Sequence, residues 1–249
     1  MAARDQNPLW DDSRLADPHG QPDKAARVRA MFDGIAPTYA LVNRVLSAGR
    51  DSYWRRAAVA LAKAAPADRV LDIACGTGDF ALAMGKAAPA LIVGCDFSAE
   101  MLRFAARGNR RSVIWCRADA LALPFPDASY SLVSCAFGVR NFQDLSRGIA
   151  EMYRVLAPGG RAVVLEFSIP RAPLLASLYL WYFHRVLPRL AAWISRDRSG
   201  AYRYLPYSVA SFVENEAMAA RFRDAGFGRV EHRPLTIGIV TVFIAWKDR

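Results

Sequence analysis

Short apolar runs and segments of helical periodicity alternate along the middle of the chain. Residues 69–74, 91–95, 112–116, 130–136 and 162–167 are rich in Val, Ile, Leu and Cys and read as strands buried on both faces. Between them, residues 53–65 (capped by Ser52), 79–86, 98–107 (capped by Ser98) and 145–156 have helical character, the last closed by Pro158-Gly159-Gly160. Upstream, Val28, Met31, Phe32 and Ile35 recur at helical spacing over residues 23–39 until Pro37 interrupts them, and 39–49 continues as a short helix or loop. Residues 1–24 are polar and read as a mobile lead. After residue 167 the rhythm stops. Residues 174–194 are aromatic and basic, with Tyr179, Trp181, Tyr182, Phe183 and Trp193 among Arg185, Arg189 and Arg196. A helix over 214–225, stopped by Gly226, precedes two strands, 229–234 and 237–246, close enough to form an antiparallel hairpin. The pattern predicts an α/β fold: a doubly wound, seven-stranded, mostly parallel sheet with an antiparallel C-terminal hairpin and helices on both faces. Residues 1–50 form an N-terminal extension and cover, and 51–249 the main domain, with an insertion at about 170–210.

The chemistry-bearing stretch is Val70 to Asp79. Its apolar run ends in a turn at Gly76 and Gly78 and passes directly into a helix, the opening of a nucleotide-binding βα unit. A glycine pair after a strand also serves as a plain tight turn. Asp72 adds information, because a carboxylate in an apolar strand is expensive to bury without partners. It belongs near the strand's C-terminal end, facing a ligand or the following loop. Asp79 and Phe80 occupy the place where a dinucleotide fingerprint needs its third glycine, and an acidic helix start suits a cationic or zwitterionic ligand better than a pyrophosphate. Two more acids follow successive strands. Asp96, eighteen residues beyond Gly78, is placed to take ribose hydroxyls or to cap a helix. Asp119 is placed to meet an exocyclic amine, with Ala118 or Ala120 supplying its backbone, or to make a turn.

The net charge of +10 fits nucleic acid, anionic lipid or an acidic substrate. Nucleic acid is disfavoured, since the basic residues are interleaved with aromatics and form no separate domain. The four cysteines include no CxxC pair and there are only three histidines, so no metal site is expected and the cysteines read as free thiols in a reducing compartment. No apolar run is long enough to span a bilayer and no signal core opens the chain, which points to the cytoplasm.

Several stretches resemble the ubiquinone/menaquinone biosynthesis C-methyltransferases, a family of class I S-adenosylmethionine-dependent methyltransferases. They are Val70 to Asp79, Gly94 to Leu102, Ala118 to Asp127, Phe137-Gly-Val-Arg-Asn141, Met152 to Gly160, Leu165-Glu-Phe-Ser168, Tyr202 to Ser208, and Ala225 to Phe227 with Leu235 to Val240. The resemblance runs from about Met31 to Lys247. It implies S-adenosylmethionine bound by Asp72, Ala74, Gly76, Thr77, Gly78, Asp96, Phe97, Met101, Asp119 and Ala120. It further implies methyl transfer to a ring carbon of a polyprenyl quinol, a demethylmenaquinol or ubiquinol precursor; another small aromatic metabolite is the alternative acceptor. The chain departs from the family pattern at Tyr39-Ala40, Asn43-Arg44, Val213 and 241–245, all in segments expected to cover the acceptor.

For the acceptor chemistry, loss of a phenolic proton is assisted by nearby positive charge. Arg140 is the candidate: it stabilises the phenolate or relays its proton through water, unless it is a surface residue paired with Asp144. Asn141 is expected to fix that loop, Tyr39 and Tyr202 to pack on or hydrogen-bond the ring, and His184 is the one histidine in the insertion. A quinol with an isoprenoid tail is met at the bilayer, so residues 174–194 are expected to touch an anionic membrane surface transiently, or to form a lid or homodimer contact.

Overall fold

A computed structural model describes residues 9–107, 112–195 and 200–249, without the side chains of residues 192 and 193. Arg196 and the side chain of Trp193 therefore lie outside the described residues. Seven strands form one sheet in the order β3-β2-β1-β4-β5-β7-β6. They are β1 (Arg69–Ile73), β2 (Leu91–Asp96), β3 (Ile114–Arg117), β4 (Tyr130–Ala136), β5 (Leu156–Phe167), β6 (Arg229–Leu235) and β7 (Val240–Trp246). All neighbours run parallel except β7, which is antiparallel to both β5 and β6. The chain leaves β1 toward β2 on one side and returns to β4 on the other. The C-terminal ends of β1 and β4 therefore open a crevice at the switch point, where ligands bind in such sheets.

Eleven α-helices are present among the described residues. They are α1 (Asp12–Leu15), α2 (Lys24–Ile35), α3 (Tyr39–Leu46), α4 (Arg50–Ala62), α5 (Asp79–Gly85), α6 (Ala99–Arg107), α7 (Leu145–Val155), α8 (Pro173–Trp181), α9 (Leu187–Ser195), α10 (Ala201–Ala210) and α11 (Asn215–Asp224). One sheet face packs on α7 and α11 through Ile149, Met152, Met218 and Phe222. The other packs on α4 and α5 through Trp54, Ala58, Phe80 and Met84. A third cluster lies outside the sheet and joins α1, α2 and α3 to α8, α9 and α10 through Trp10, Val28, Met31, Tyr179, Phe183, Leu187 and Tyr204. This cover sits over the crevice.

Three expectations are corrected. Residues 9–24 are not a mobile lead: Trp10 and Leu15 are fully buried, and Trp10 packs on Tyr204 with ring centroids 4.3 Å apart. Two anchors among polar residues make no periodicity, so the pattern hid them. The helix read over 53–65 starts earlier, at Arg50, after Gly49 in a left-handed conformation (φ 74°), so Ser52 lies in its first turn. The Pro158-Gly159-Gly160 run also lies inside β5 rather than before it, at a register shift against β4.

Candidate active site

The β1–α5 turn is held by one carboxylate. Asp96, last in β2, accepts from the Gly76 amide at 2.8 Å through one oxygen and from the Ser98 amide at 2.8 Å through the other. Ser98 in turn caps α6 by accepting from the Met101 amide, and its hydroxyl donates to Asp33 of α2 at 2.6 Å. Asp96 thus ties the turn to α6 while keeping lone pairs for a ligand. Beside it Asp72 is fully buried; one oxygen accepts from the Ser134 hydroxyl at 2.7 Å and the other has no partner. Burial pushes Asp72 up to about 7 and Asp96 up to about 6, each partly offset by its own hydrogen bonds.

A small cavity of about 80 Å³ lies beyond the ends of β1, β2 and β4. Its walls include Ala74, Gly76, Asp96, Phe97, Met101, Asp119, Ala120 and Asn141. Asp72 and Thr77 line an adjoining recess, with Asp79 at the start of α5. Gly78 lines neither space. Its φ is 82° and a Cβ there would lie 2.3 Å from the Trp115 indole, so both the turn and the packing of Trp115 require glycine at this position. Asp119 accepts from the Leu121 amide at 2.9 Å, so it makes a turn and also borders the cavity.

A second cavity of about 390 Å³ lies under the cover, lined mainly by Met31, Phe32, Tyr39, Tyr179, Phe183 and Leu187 and reached by Arg140 and Tyr202. Phe32, Tyr39 and Phe137 border both cavities, so the two meet at those rings. Phe137 and Ala74 flank the crevice with left-handed backbone (φ 58° and 52°), strain that a β-carbon makes costly.

Arg140 is buried and does not pair with Asp144, which caps α7 by accepting from the Arg147 amide. It donates instead to Glu166 at 2.8 Å and to the Phe137 carbonyl at 2.6 Å, while its Nε–H is buried without a partner. Burial alone opposes its charge; Glu166 and the surrounding tyrosines outweigh that, and the guanidinium pKa is raised. Arg140 is therefore a fixed cation rather than a proton acceptor. Asn141 joins the same loop to the cover, accepting from the Tyr204 hydroxyl at 3.1 Å. His184 borders neither cavity and packs edge-on against Tyr207.

Sequence reading missed Glu166, Arg55 and Tyr179. Glu166 carried the same signal as Asp72, a carboxylate in an apolar strand. Arg55 sits beside Trp54, on the buried face of α4, where a charge is out of place. Tyr179 was hidden among other aromatics.

Fold and site together define a class I S-adenosylmethionine-dependent methyltransferase. A methyltransferase of this kind from Thermotoga maritima superposes with a TM-score of 0.64 at 20% identity, over 88% of this chain and 99% of that one. Residues 21–247 match the model of the ubiE/COQ5 methyltransferase family, and the chain belongs to that family. A demethylmenaquinone methyltransferase of Deinococcus radiodurans is 49% identical over 229 residues, 90% of this chain and 94% of the relative. A ubiquinone/menaquinone biosynthesis C-methyltransferase of Geotalea daltonii is 44% identical over 232 residues, 90% and 98% of the two chains. S-adenosylmethionine is the cofactor, and the residues present suit it. The unpartnered oxygen of Asp72 and the acidic start of α5 suit a ligand end bearing ammonium and sulfonium charge, while Phe97, Met101 and Leu121 offer apolar walls to a purine.

Proposed function

We propose that this chain methylates a ring carbon of a quinol bearing an isoprenoid tail, held in the larger cavity with a ring oxygen at Arg140. The observation that carries this reading is the buried, unpartnered Nε–H of Arg140 in the wall of an apolar cavity adjoining the cofactor's. The names of the Deinococcus and Geotalea relatives support the same acceptor class. Bound at Asp72, Ala74, Gly76, Thr77, Asp96, Phe97, Met101, Asp119 and Ala120, S-adenosylmethionine supplies an electrophilic methyl group. Arg140, held by Glu166 and Phe137, lowers the cost of the phenolate, which raises electron density on the adjacent ring carbon. The Tyr179 hydroxyl, buried without a partner in the same cavity wall, is a second donor for a ring oxygen. Phe32, Tyr39 and Phe137 hold the ring face against the cofactor's cavity, with Tyr202 on the cover side, and the apolar walls exclude water. Asn141 fixes the Arg140 loop through Tyr204.

Incubation with methyl-labelled S-adenosylmethionine and a panel of reduced benzoquinols and naphthoquinols tests the reading. Label on a ring carbon beside a hydroxyl supports it; label on oxygen, or transfer to none of the panel, contradicts it.

No helix among the described residues is long and apolar enough to cross a membrane. A substrate with an isoprenoid tail partitions into the bilayer, and the exposed stripe of the cover suits its surface. From α8 to α9 the inward positions are Tyr179, Phe183, Leu187 and Ala191. The outward stripe is Leu174 (82% exposed), Leu178 (60%) and Trp181 (58%), followed by exposed Arg185 and Arg189. An apolar stripe that turns basic suits the interface of an anionic bilayer, with roughly 1 kcal/mol from each arginine near the surface. Co-sedimentation with anionic vesicles should weaken with salt and with Arg185→Gln/Arg189→Gln. Self-association through this stripe, without vesicle binding, would assign it to a second copy of the chain.

A further inference from the structure

We infer that Arg55 holds the carboxylate at the amino-acid end of the cofactor, opposite the carboxylates that face its ammonium group. The inference rests on S-adenosylmethionine binding at the β1–α5 turn and names the residue that reads one of its charged groups. That end of the cofactor is a zwitterion, and its two charges need opposite partners. The recess beside the turn is bordered by Tyr39, Asp72, Thr77, Asp79 and Arg55, and Arg55 is the one cation among its described lining residues. With Asp72 and Asp79 alone, the recess would attract the ammonium and repel the carboxylate, an interaction of about 4 kcal/mol at 4 Å near a protein surface.

The geometry of Arg55 fits this task. It is 9% exposed and lies on the buried face of α4 beside Trp54 and Ala58, where packing alone would favour an apolar side chain. Asp51, one turn earlier, accepts from one terminal nitrogen at 2.5 Å and so fixes the plane of the guanidinium, whose carbon lies 5.7 Å from the centre of the Phe137 ring. The Nε–H is buried and has no partner among the described residues. A buried guanidinium N–H left unpaired is costly, and a carboxylate is the group whose two oxygens match the free edge of that fork. Arg55 also borders the larger cavity, so an acceptor oxygen is the competing partner. The recess favours the carboxylate because its other charged groups, Asp72 and Asp79, are acidic and already suit the ammonium end.

Calorimetry with S-adenosylmethionine and with its decarboxylated analogue decides between them, since the two ligands differ only in the carboxylate. The parent chain should prefer the carboxylated ligand by about 10- to 100-fold, the range for a hydrogen bond to a charged group. In Arg55→Met the preference should fall to within about twofold, through weaker binding of the carboxylated ligand alone, and Arg55→Lys should retain part of it. Equal affinity of the parent for both ligands would overturn the inference, and that comparison needs no variant to fold. A full preference surviving in Arg55→Met would also overturn it and leave the acceptor as the partner of Arg55. Failure of the parent to bind either ligand would overturn the cofactor site itself, a result distinct from equal affinity.

Discussion

At the cofactor end, one carboxylate takes two backbone amides, Gly76 and Ser98, and the walls are the ends of adjacent parallel strands in fixed register. At the acceptor end, side chains from several distant stretches meet with few hydrogen bonds between them, among them Met31 to Arg55, the Phe137–Arg140 loop, Tyr179 to Leu187 and Tyr202 to Leu205. The first half of the crevice is rigid because backbone donors are satisfied inside it. The second holds its shape by packing, which accommodates a bulky apolar ring and a tail but is more easily loosened. Buried polar contacts such as Tyr204 to Asn141 and Lys24 to the Phe142 carbonyl (2.6 Å) pin the cover at single points.

The largest way to break this contrast is at Trp10. Removing the buried indole in Trp10→Ala should cost about 3–5 kcal/mol within the cover. Melting temperature should fall and amide exchange in α10 should rise, while affinity for S-adenosylmethionine stays within about twofold by calorimetry. An equal loss of cofactor affinity would mean that the two halves are one mechanical unit.

Asp96→Ala strikes the other half. Loss of a charged hydrogen-bond partner costs about 1.5–3 kcal/mol, so cofactor affinity should drop at least about tenfold. Because Gly76 and Ser98 lose their acceptor as well, their amide exchange should accelerate, whereas amides of α8 and α9 should not change. Unchanged affinity would remove Asp96 from the site.

The smallest effect is a pH dependence. Burial raises Asp72 to about 7 and Asp96 to about 6, above the ordinary carboxyl value of 3.8. The folded chain therefore keeps protons that the unfolded chain releases. This stabilisation is complete below about pH 4 and is lost as pH rises through 6 to 7. A cationic ligand favours the ionised carboxylates, so its affinity has the opposite slope. Binding of S-adenosylmethionine should weaken by about tenfold per unit as pH falls below about 7. Asp72→Asn should flatten the upper part of that slope; an unaltered profile would place the titrating group elsewhere.

The same contrast explains what could be read in the sequence. The cofactor half is local: strand, turn, helix and a carboxylate at each strand end lie within a few residues of one another, so Asp72, Gly76 and Asp96 were visible from spacing. Gly78 was visible too, as a turn residue, but its packing against Trp115 was not, since that contact crosses two strands. The acceptor half is assembled over long separations. Nothing near Arg140 in the chain announces Glu166, twenty-six residues away, and the nearer Asp144 was the natural partner to expect. Trp10 lies almost two hundred residues from Tyr204 and has no periodic neighbours to reveal its burial. Arg55 was overlooked because the helix around it reads as ordinary alanine-rich sequence.

Arg140 is proposed to act on the acceptor while the cofactor is held elsewhere. Arg140→Leu made together with Glu166→Gln, so that no buried charge is left alone, separates the two roles. Steady-state turnover with a reduced quinol and calorimetric affinity for S-adenosylmethionine are measured on the same preparation. Turnover should fall by about 10²- to 10³-fold, the usual cost of losing an oriented donor to a developing anion, with cofactor affinity within about twofold of the parent. Turnover close to that of the parent, or a loss of cofactor affinity as large as the loss of turnover, would contradict the assignment.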